Sequence, residues 1–171
     1  MIAVILAGGL GSRLRPFTEI IPKPLLPIGE KSVLEIQVSR LKQYGFNEII
    51  LCTGHKSGYI EKFFGDGSQF GVKLWISKED TPLGTVGPLT LIKDQLNEPF
   101  IMMNGDIISL LDFGKFYDFG IRKNTDLTIA IKSHVFPFAF GDILFDGDFV
   151  TSIKEKPEIK KHILAGVYVM K

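Results

Sequence analysis

A short apolar strand that runs into Gly8-Gly9-Leu10-Gly11 and then into a stretch punctuated by Pro16, Pro22, Pro24 and Pro27 constrains this chain more than any other feature. The aliphatic residues Ile2 to Leu6 suit a buried strand. Glycines directly behind a strand let backbone N–H groups close on phosphate oxygens with no side chain in the way. Two fixed cations follow, Arg13 and Lys23. A guanidinium offers a planar fork of donors and an ammonium a compact point charge, a pair suited to a polyphosphate whose charge must be held while it redistributes. The loop reads as a cradle for a nucleoside triphosphate; glycines alone would read as a tight strand-to-loop turn.

Two other glycine loops do not fit. The dinucleotide fingerprint needs a third glycine where Leu14 stands and a helix directly after it, and a P-loop needs a closing Gly-Lys-Ser/Thr. Proline removes backbone donors and disfavours helix for the residue before it, so Arg15 to Pro27 is expected to be an extended, ordered loop.

Apolar runs alternate with helix-like segments along the 171 residues, which predicts a parallel or mostly parallel sheet layered by helices. Ile2 to Leu6, Glu48 to Thr53, Val72 to Ile76 and Phe100 to Asn104 read as the first strands. Ser32 with Glu35 makes a capping box before Leu34, Val38 and Leu41, and Gly45 stops that helix. Ser57 is a candidate cap for a second helix, Pro88 suits the first turn of a third, and Phe113, Phe116 and Tyr117 form a core-facing stripe behind the candidate cap Asp112. Further on, Asp126 to Ser133 reads as a strand. Gly141 to Phe145 and Phe149 to Ile153 form a hairpin through Asp146-Gly147-Asp148, and Ile163 to Met170 is a last apolar run. A formal charge of +1 without a basic block gives a nucleic-acid footprint no support. The lone Cys52, the short apolar start and the absence of a basic leader point to a cytoplasmic protein without a membrane span.

The run Leu6 to Pro27 resembles the signature of the sugar-1-phosphate nucleotidylyltransferases, closest in feel to mannose-1-phosphate guanylyltransferase and glucose-1-phosphate thymidylyltransferase-like members. Pro82-Leu83-Gly84-Thr85, Asn104-Gly105-Asp106, Glu155-Lys156-Pro157 and Ala165-Gly166-Val167 extend the likeness in the same order. The resemblance implies a Rossmann-like three-layer α/β sandwich with a mostly parallel mixed sheet, in one nucleotidyltransferase domain over 1–171. About 1–110 would be the nucleotide-binding half and about 111–171 a partial sugar-phosphate-binding half. Because the family runs longer than this chain, a C-terminally incomplete form is expected. The implied reaction joins a sugar 1-phosphate to a nucleoside monophosphate from a triphosphate and releases pyrophosphate.

Residue by residue, the resemblance implies that Arg13 steadies the departing phosphates, Lys23 neutralises charge at the α-phosphate and Asp106 holds Mg²⁺. Nucleotide contacts fall on Leu6, Ala7, Gly8, Gly9, Gly11, Ser12, Arg13, Glu79, Gly84 and Thr85, and sugar-phosphate contacts on Gly141, Glu155, Lys156 and Ala165. Asp142 and Leu164 stand where the family carries an apolar residue and an asparagine. Glu79 lies where family members read the base, and one carboxylate accepts both adjacent donors of guanine; GTP is the first expectation and dTTP the next. The expected partners are the triphosphate and the sugar 1-phosphate, with homo-oligomerisation left open. The alternative is a catalytically weak nucleotide-binding or regulatory module.

Overall fold

The computed structural model describes Met1 to Lys171. In chain order the regular elements are β1 (Ile2–Leu6), α1 (Phe17–Ile20), β2 (Pro27–Ile28), β3 (Lys31–Ser32), α2 (Val33–Gln43), β4 (Glu48–Thr53), α3 (Ser57–Phe64), β5 (Lys73–Lys78) and β6 (Phe100–Asn104). They continue with α4 (Phe113–Lys123), β7 (Leu127–Pro137), β8 (Asp142–Asp146), β9 (Phe149–Lys154) and β10 (Glu158–Met170). The chain divides into two compact units, Met1–Ile129 with Gly166–Lys171, and Ala130–Ala165.

The first unit is built on a sheet of order β5-β4-β1-β6-β10-β7. β4 and β6 flank β1 in parallel and β5 joins β4 in parallel, whereas β10 pairs β6 antiparallel. This is the Rossmann-like, mostly parallel mixed sheet expected from the sequence. Going out from β1, the chain fills one side with β4 and β5 and then crosses to β6 on the other. The reversal of strand order therefore falls beside the carboxyl end of β1, where open α/β sheets bind their ligands.

Alternation along each strand sends side chains to two covered faces. Ala3, Ile5, Ile49, Leu51, Ile101 and Met103 are buried on one face, as are Val33, Leu34, Val38 and Leu41 of α2. On the other, Val4, Ile50, Cys52, Phe100 and Met102 pack with Ile92 and with Leu89 and Leu96. The capping box forms as expected. Ser32 Oγ accepts from Glu35 N–H at 3.2 Å and Glu35 Oε2 accepts from Ser32 N–H at 2.7 Å, an arrangement that stabilises a helix start by about 1 kcal/mol. Asp112 caps α4 by accepting from Lys115 N–H at 2.9 Å, which lowers the pKa of its carboxyl, and Phe113 is buried beneath it.

Three local expectations are corrected. The proline-rich segment is not extended throughout: short 3₁₀ turns at Ser12–Leu14 and Lys23–Leu25 bracket α1. Arg15, Ile21 and Leu26, each before a proline, are extended as sterics demand. Yet proline's fixed φ also suits a helical first turn, and that preference wins at Pro16 and Pro24. Ser57 does not cap α3. Lys56 takes the cap position at φ +62°, while the Ser57 hydroxyl accepts from Thr53 Oγ1 at 3.0 Å and donates to the Glu61 carboxylate. Pro88 opens 3₁₀ turns, Gly87–Leu91 and then Lys93–Gln95, in place of an α-helix.

The second unit contains the expected hairpin. β8 and β9 pair antiparallel around Gly147 at φ +59°, with a bulge between Leu144 and Phe145. Within it, Phe138 N–H donates to Pro157 O at 3.2 Å.

Candidate nucleotide site

A cleft of about 820 Å³ opens at the carboxyl ends of β1, β4, β5 and β6, and its walls come entirely from the first unit. Every residue expected to touch the nucleotide lines it: Leu6 to Gly9, Gly11 to Arg13, Glu79, Gly84 and Thr85. Lys23 and Asp106 lie on the same wall system. His55 and Lys78 also line it.

The glycine loop offers donors. Between Ala7, whose N–H bonds Cys52 O at 2.7 Å, and Leu14, whose N–H bonds Gly11 O at 2.9 Å, no backbone N–H takes a partner within the chain. A row of unpaired N–H groups is the raw material of an anion nest. Gly11 turns the loop at φ +63°, where a Cβ would also lie 2.8 Å from Thr18 Cγ2. Thr18 is buried, and its hydroxyl donates to Gly11 O at 2.9 Å. Lys56 Nζ in turn donates to Thr18 O at 3.0 Å and to Glu19 O. α1 thus buttresses the loop from below. Arg13 is exposed and forms no ion pair, which leaves its fork free for a ligand, whereas Arg15 is drawn to Glu19 at 3.9 Å on the surface.

Asp106 follows β6 in a tight turn. Gly105 N–H donates to Leu6 O at 2.8 Å, and a Cβ at Gly105 would meet that oxygen at 2.8 Å and Ala7 Cα at 3.1 Å, so only glycine lets the turn press against β1. The Asp106 carboxylate is part-exposed to the cleft and its Oδ2 accepts from Lys23 Nζ. Gln37, from α2, donates through Nε2 to Asn104 O at 2.8 Å and to Ile107 O at 2.7 Å, on either side of Asp106. No group of three or more His, Cys, Asp and Glu side chains gathers into a metal cage. A single hard carboxylate on the wall of an open cleft fits Mg²⁺, which keeps waters and phosphate oxygens and needs one or two protein carboxylates.

Glu79 closes the far side. Its Oε2 accepts from Leu83 N–H at 3.1 Å, bracing the loop that leads to Gly84 and Thr85. Its Oε1 lies so close to the glycine loop that a Cβ at Gly8 would come within 2.3 Å. Burial, and then the negative charge of Glu79, push the Cys52 thiol up to about 12.

The residues expected to contact the sugar phosphate, Gly141, Glu155, Lys156 and Ala165, all belong to the second unit. There Gly141 and Glu155 come together, with a Gly141 Cβ position 3.4 Å from Glu155 Oε2. Lys156 turns the backbone at φ +45°, and Ala165 sits in β10. Thr18, Gln37 and Lys56 support the cleft and were not anticipated; a glutamine on the apolar stripe of α2 was the one available signal.

Sheet order and cleft define a Rossmann-like α/β domain with an open cleft at the strand reversal. The chain belongs to the nucleotidyl transferase family, whose model matches residues 2–171. It is 37% identical over 171 residues to the mannose-1-phosphate guanylyltransferase of Mycobacterium tuberculosis, covering 98% of this chain and 48% of that protein. Against the mannose-1-phosphate guanylyltransferase catalytic subunit beta of Drosophila pseudoobscura pseudoobscura it is 35% identical over 174 residues, covering 98% and 47%. The crystal structure of HddC from Yersinia pseudotuberculosis complexed with GMP-PN superposes with a TM-score of 0.76 at 31% identity, covering 99% of this chain and 76% of that one. The chain spans about half the length of the curated relatives it matches.

Proposed function

We propose that this chain carries the nucleotide-binding machinery of a sugar-1-phosphate nucleotidylyltransferase, with GTP as the favoured triphosphate and dTTP the next. One observation carries the reading: the unpaired glycine loop, Arg13, Lys23, Asp106 and Glu79, far apart in sequence, meet in one cleft at the reversal of strand order. The guanylyltransferase names of the relatives support the choice of base.

In the proposed reaction an oxygen of the sugar 1-phosphate attacks the α-phosphorus. The bond from the α-phosphorus to the bridging oxygen breaks, and pyrophosphate leaves with the electron pair. No covalent enzyme intermediate is needed, so the protein's part is alignment and charge stabilisation. The N–H groups of Gly8 to Ser12 cradle the phosphates, Arg13 meets the β- and γ-phosphates, and Lys23 meets the α-phosphate. Mg²⁺, held by Asp106 together with phosphate oxygens, would supply charge neutralisation. Gly141, Glu155, Lys156 and Ala165 are assigned to the sugar phosphate.

The test is pyrophosphate release by the chain with five triphosphates and a panel of sugar 1-phosphates, alongside direct triphosphate binding. Release that requires both substrates is the expected result. Absence of binding to all five triphosphates would overturn the reading, and binding of GTP and dTTP without any release would leave only the binding-module alternative.

A further inference from the structure

We propose that Gln37 is a positioning residue for Asp106: its buried side-chain amide pins both ends of the turn that presents the carboxylate to the cleft. The inference rests on the nucleotide reading above and adds to it a residue that touches no ligand.

Gln37 occupies the buried stripe of α2 with Leu34, Val38 and Leu41, and only 2% of it is exposed. An apolar side chain is the ordinary choice there, because burying an amide is unfavourable unless its groups are bonded. Both Nε2 hydrogens are used, one on Asn104 O and one on Ile107 O. Since both neighbours are acceptors, the amide has one orientation; reversed, its oxygen would face two oxygens. That orientation leaves Oε1 buried without a partner. Packing does not account for a side chain that leaves a buried acceptor unpaired, because leucine or methionine would fill the position without it. What the amide does, and they do not, is hold two carbonyls.

Those carbonyls bracket Gly105 and Asp106. Asn104 O also accepts from Ile107 N–H at 3.3 Å, which closes the turn, and Gly105 N–H ties it to β1 through Leu6 O. Gln37 therefore fixes from α2 what Gly105 fixes from β1, and the Asp106 backbone is held from two sides before any ligand arrives. Magnesium demands near-ideal octahedral geometry, so a carboxylate presented by a loosened turn serves it poorly. The phosphate cradle, Gly8 to Ser12, takes no hydrogen bond from Gln37 or from this turn, which ties to the chain ahead of it at Leu6 O. Gln37 should accordingly affect the metal-dependent part of nucleotide affinity and spare the metal-free part.

The experiment measures the affinity of the chain for GTP and for dTTP, each with Mg²⁺ and with EDTA. It compares wild type, Gln37→Met, Gln37→Glu and Asp106→Asn, and combines each Gln37 change with Asp106→Asn, with thermal unfolding as the control for folding. Methionine keeps the length and removes both donors; a neutral glutamic acid keeps one. The expected result is that the Mg²⁺-dependent gain in affinity falls about 10- to 100-fold in Gln37→Met, as for other residues that orient metal ligands, and less in Gln37→Glu. Affinity in EDTA should hold, and the Gln37 effect should vanish in the Asp106→Asn background. An unchanged Mg²⁺-dependent gain in the Gln37 variants, an equal loss with and without metal, or loss of folding in both variants would overturn the inference and assign Gln37 to packing alone. A wild type that binds neither triphosphate under either condition overturns the nucleotide reading, and this inference with it.

Discussion

Lys23 Nζ donates to Asp106 Oδ2, joining two residues 83 positions apart within one cleft. A cation and an anion with the opposite tasks in phosphate chemistry are thus paired before a ligand enters. Both side chains remain part-exposed, 31% and 41%, and ion pairs in contact with water contribute about 0–1 kcal/mol to stability. On the proposed reading, the pair keeps each charge in place until a triphosphate separates them. Asp106→Asn should therefore shift the urea midpoint little while removing the Mg²⁺-dependent part of triphosphate binding. A large loss of stability with metal dependence intact would mark Asp106 as a structural turn residue.

If the proposed roles hold, Arg13→Ala and Lys23→Ala should depress turnover more than triphosphate affinity, because charges aimed at what develops in the transition state act on the chemical step. Losses on the order of 10²–10³ in turnover are expected for each, as for other preorganised charge stabilisers. Pyrophosphate release under saturating substrates measures this, and near-normal release in either variant removes that residue from the proposed role.

The glycine loop ahead of Arg13 depends on its buttress. Thr18→Val preserves shape but removes the hydroxyl that donates to Gly11 O, a loss of about 1 kcal/mol for one hydrogen bond. Gly11→Ala should be worse. It adds a Cβ at φ +63°, a conformation that costs a non-glycine residue about 1–2 kcal/mol, and places that atom 2.8 Å from Thr18 Cγ2. Urea unfolding and triphosphate affinity should both rank wild type above Thr18→Val and Thr18→Val above Gly11→Ala, with Thr18→Ser close to wild type.

Cys52 gives a pH prediction with a definite sign. Its thiol titrates at 9.0 ordinarily and is pushed up to about 12 by burial and by Glu79. A group whose pKa is higher in the folded state stabilises fully below the unfolded value, and that contribution is lost as pH rises toward the folded one. Between about pH 9 and 12 the unfolded chain alone sheds the proton, so stability should fall by about 1.4 kcal/mol per pH unit from this residue. Tyr117, raised chiefly by burial, pulls in the same direction. Denaturant unfolding of wild type and Cys52→Ala across this range isolates the difference; parallel pH profiles would refute it. Native Cys52 should also resist thiol reagents at pH 8 and react once unfolded.

The elements that place the cleft were legible because local chemistry dictates them. β1, β4 and β6 begin and end where their apolar runs do, and Ser32 and Glu35 announce α2 by themselves. β5 is displaced to Lys73–Lys78 from the expected Val72–Ile76, since its pairing with β4 decides the register. The segment around α1 departs from a wholly extended loop because proline restricts the residue before it and equally favours a first helical turn. Thr18, Gln37 and Lys56 were illegible for another reason. Gln37 acts on carbonyls 67 and 70 positions away and Lys56 on one 38 away, and no pattern within a helix encodes such partners.

The last prediction concerns the base. Glu79 Oε2 already accepts from Leu83 N–H, so the carboxylate both braces the loop carrying Gly84 and Thr85 and faces the cleft. A carboxylate oxygen has two lone pairs and can serve the loop and a ligand together. Guanine offers adjacent donors on its ring nitrogen and exocyclic amine, which two carboxylate oxygens can accept. Thymine and uracil offer one N–H between carbonyls that would oppose the charge. Glu79→Gln separates the two tasks: the amide oxygen still accepts from Leu83, and the amide nitrogen now presents donors where guanine needs an acceptor. Losing one such charged contact should weaken GTP by about 1.5–3 kcal/mol, or roughly 10- to 100-fold, with a smaller change for dTTP. Competition binding of GTP, dTTP, UTP, CTP and ATP to wild type and Glu79→Gln decides it. A wild type that prefers dTTP, or a GTP preference unaltered by the substitution, would leave Glu79 with the loop alone and give base selection to the backbone around Leu6, Gly8 and Gly84.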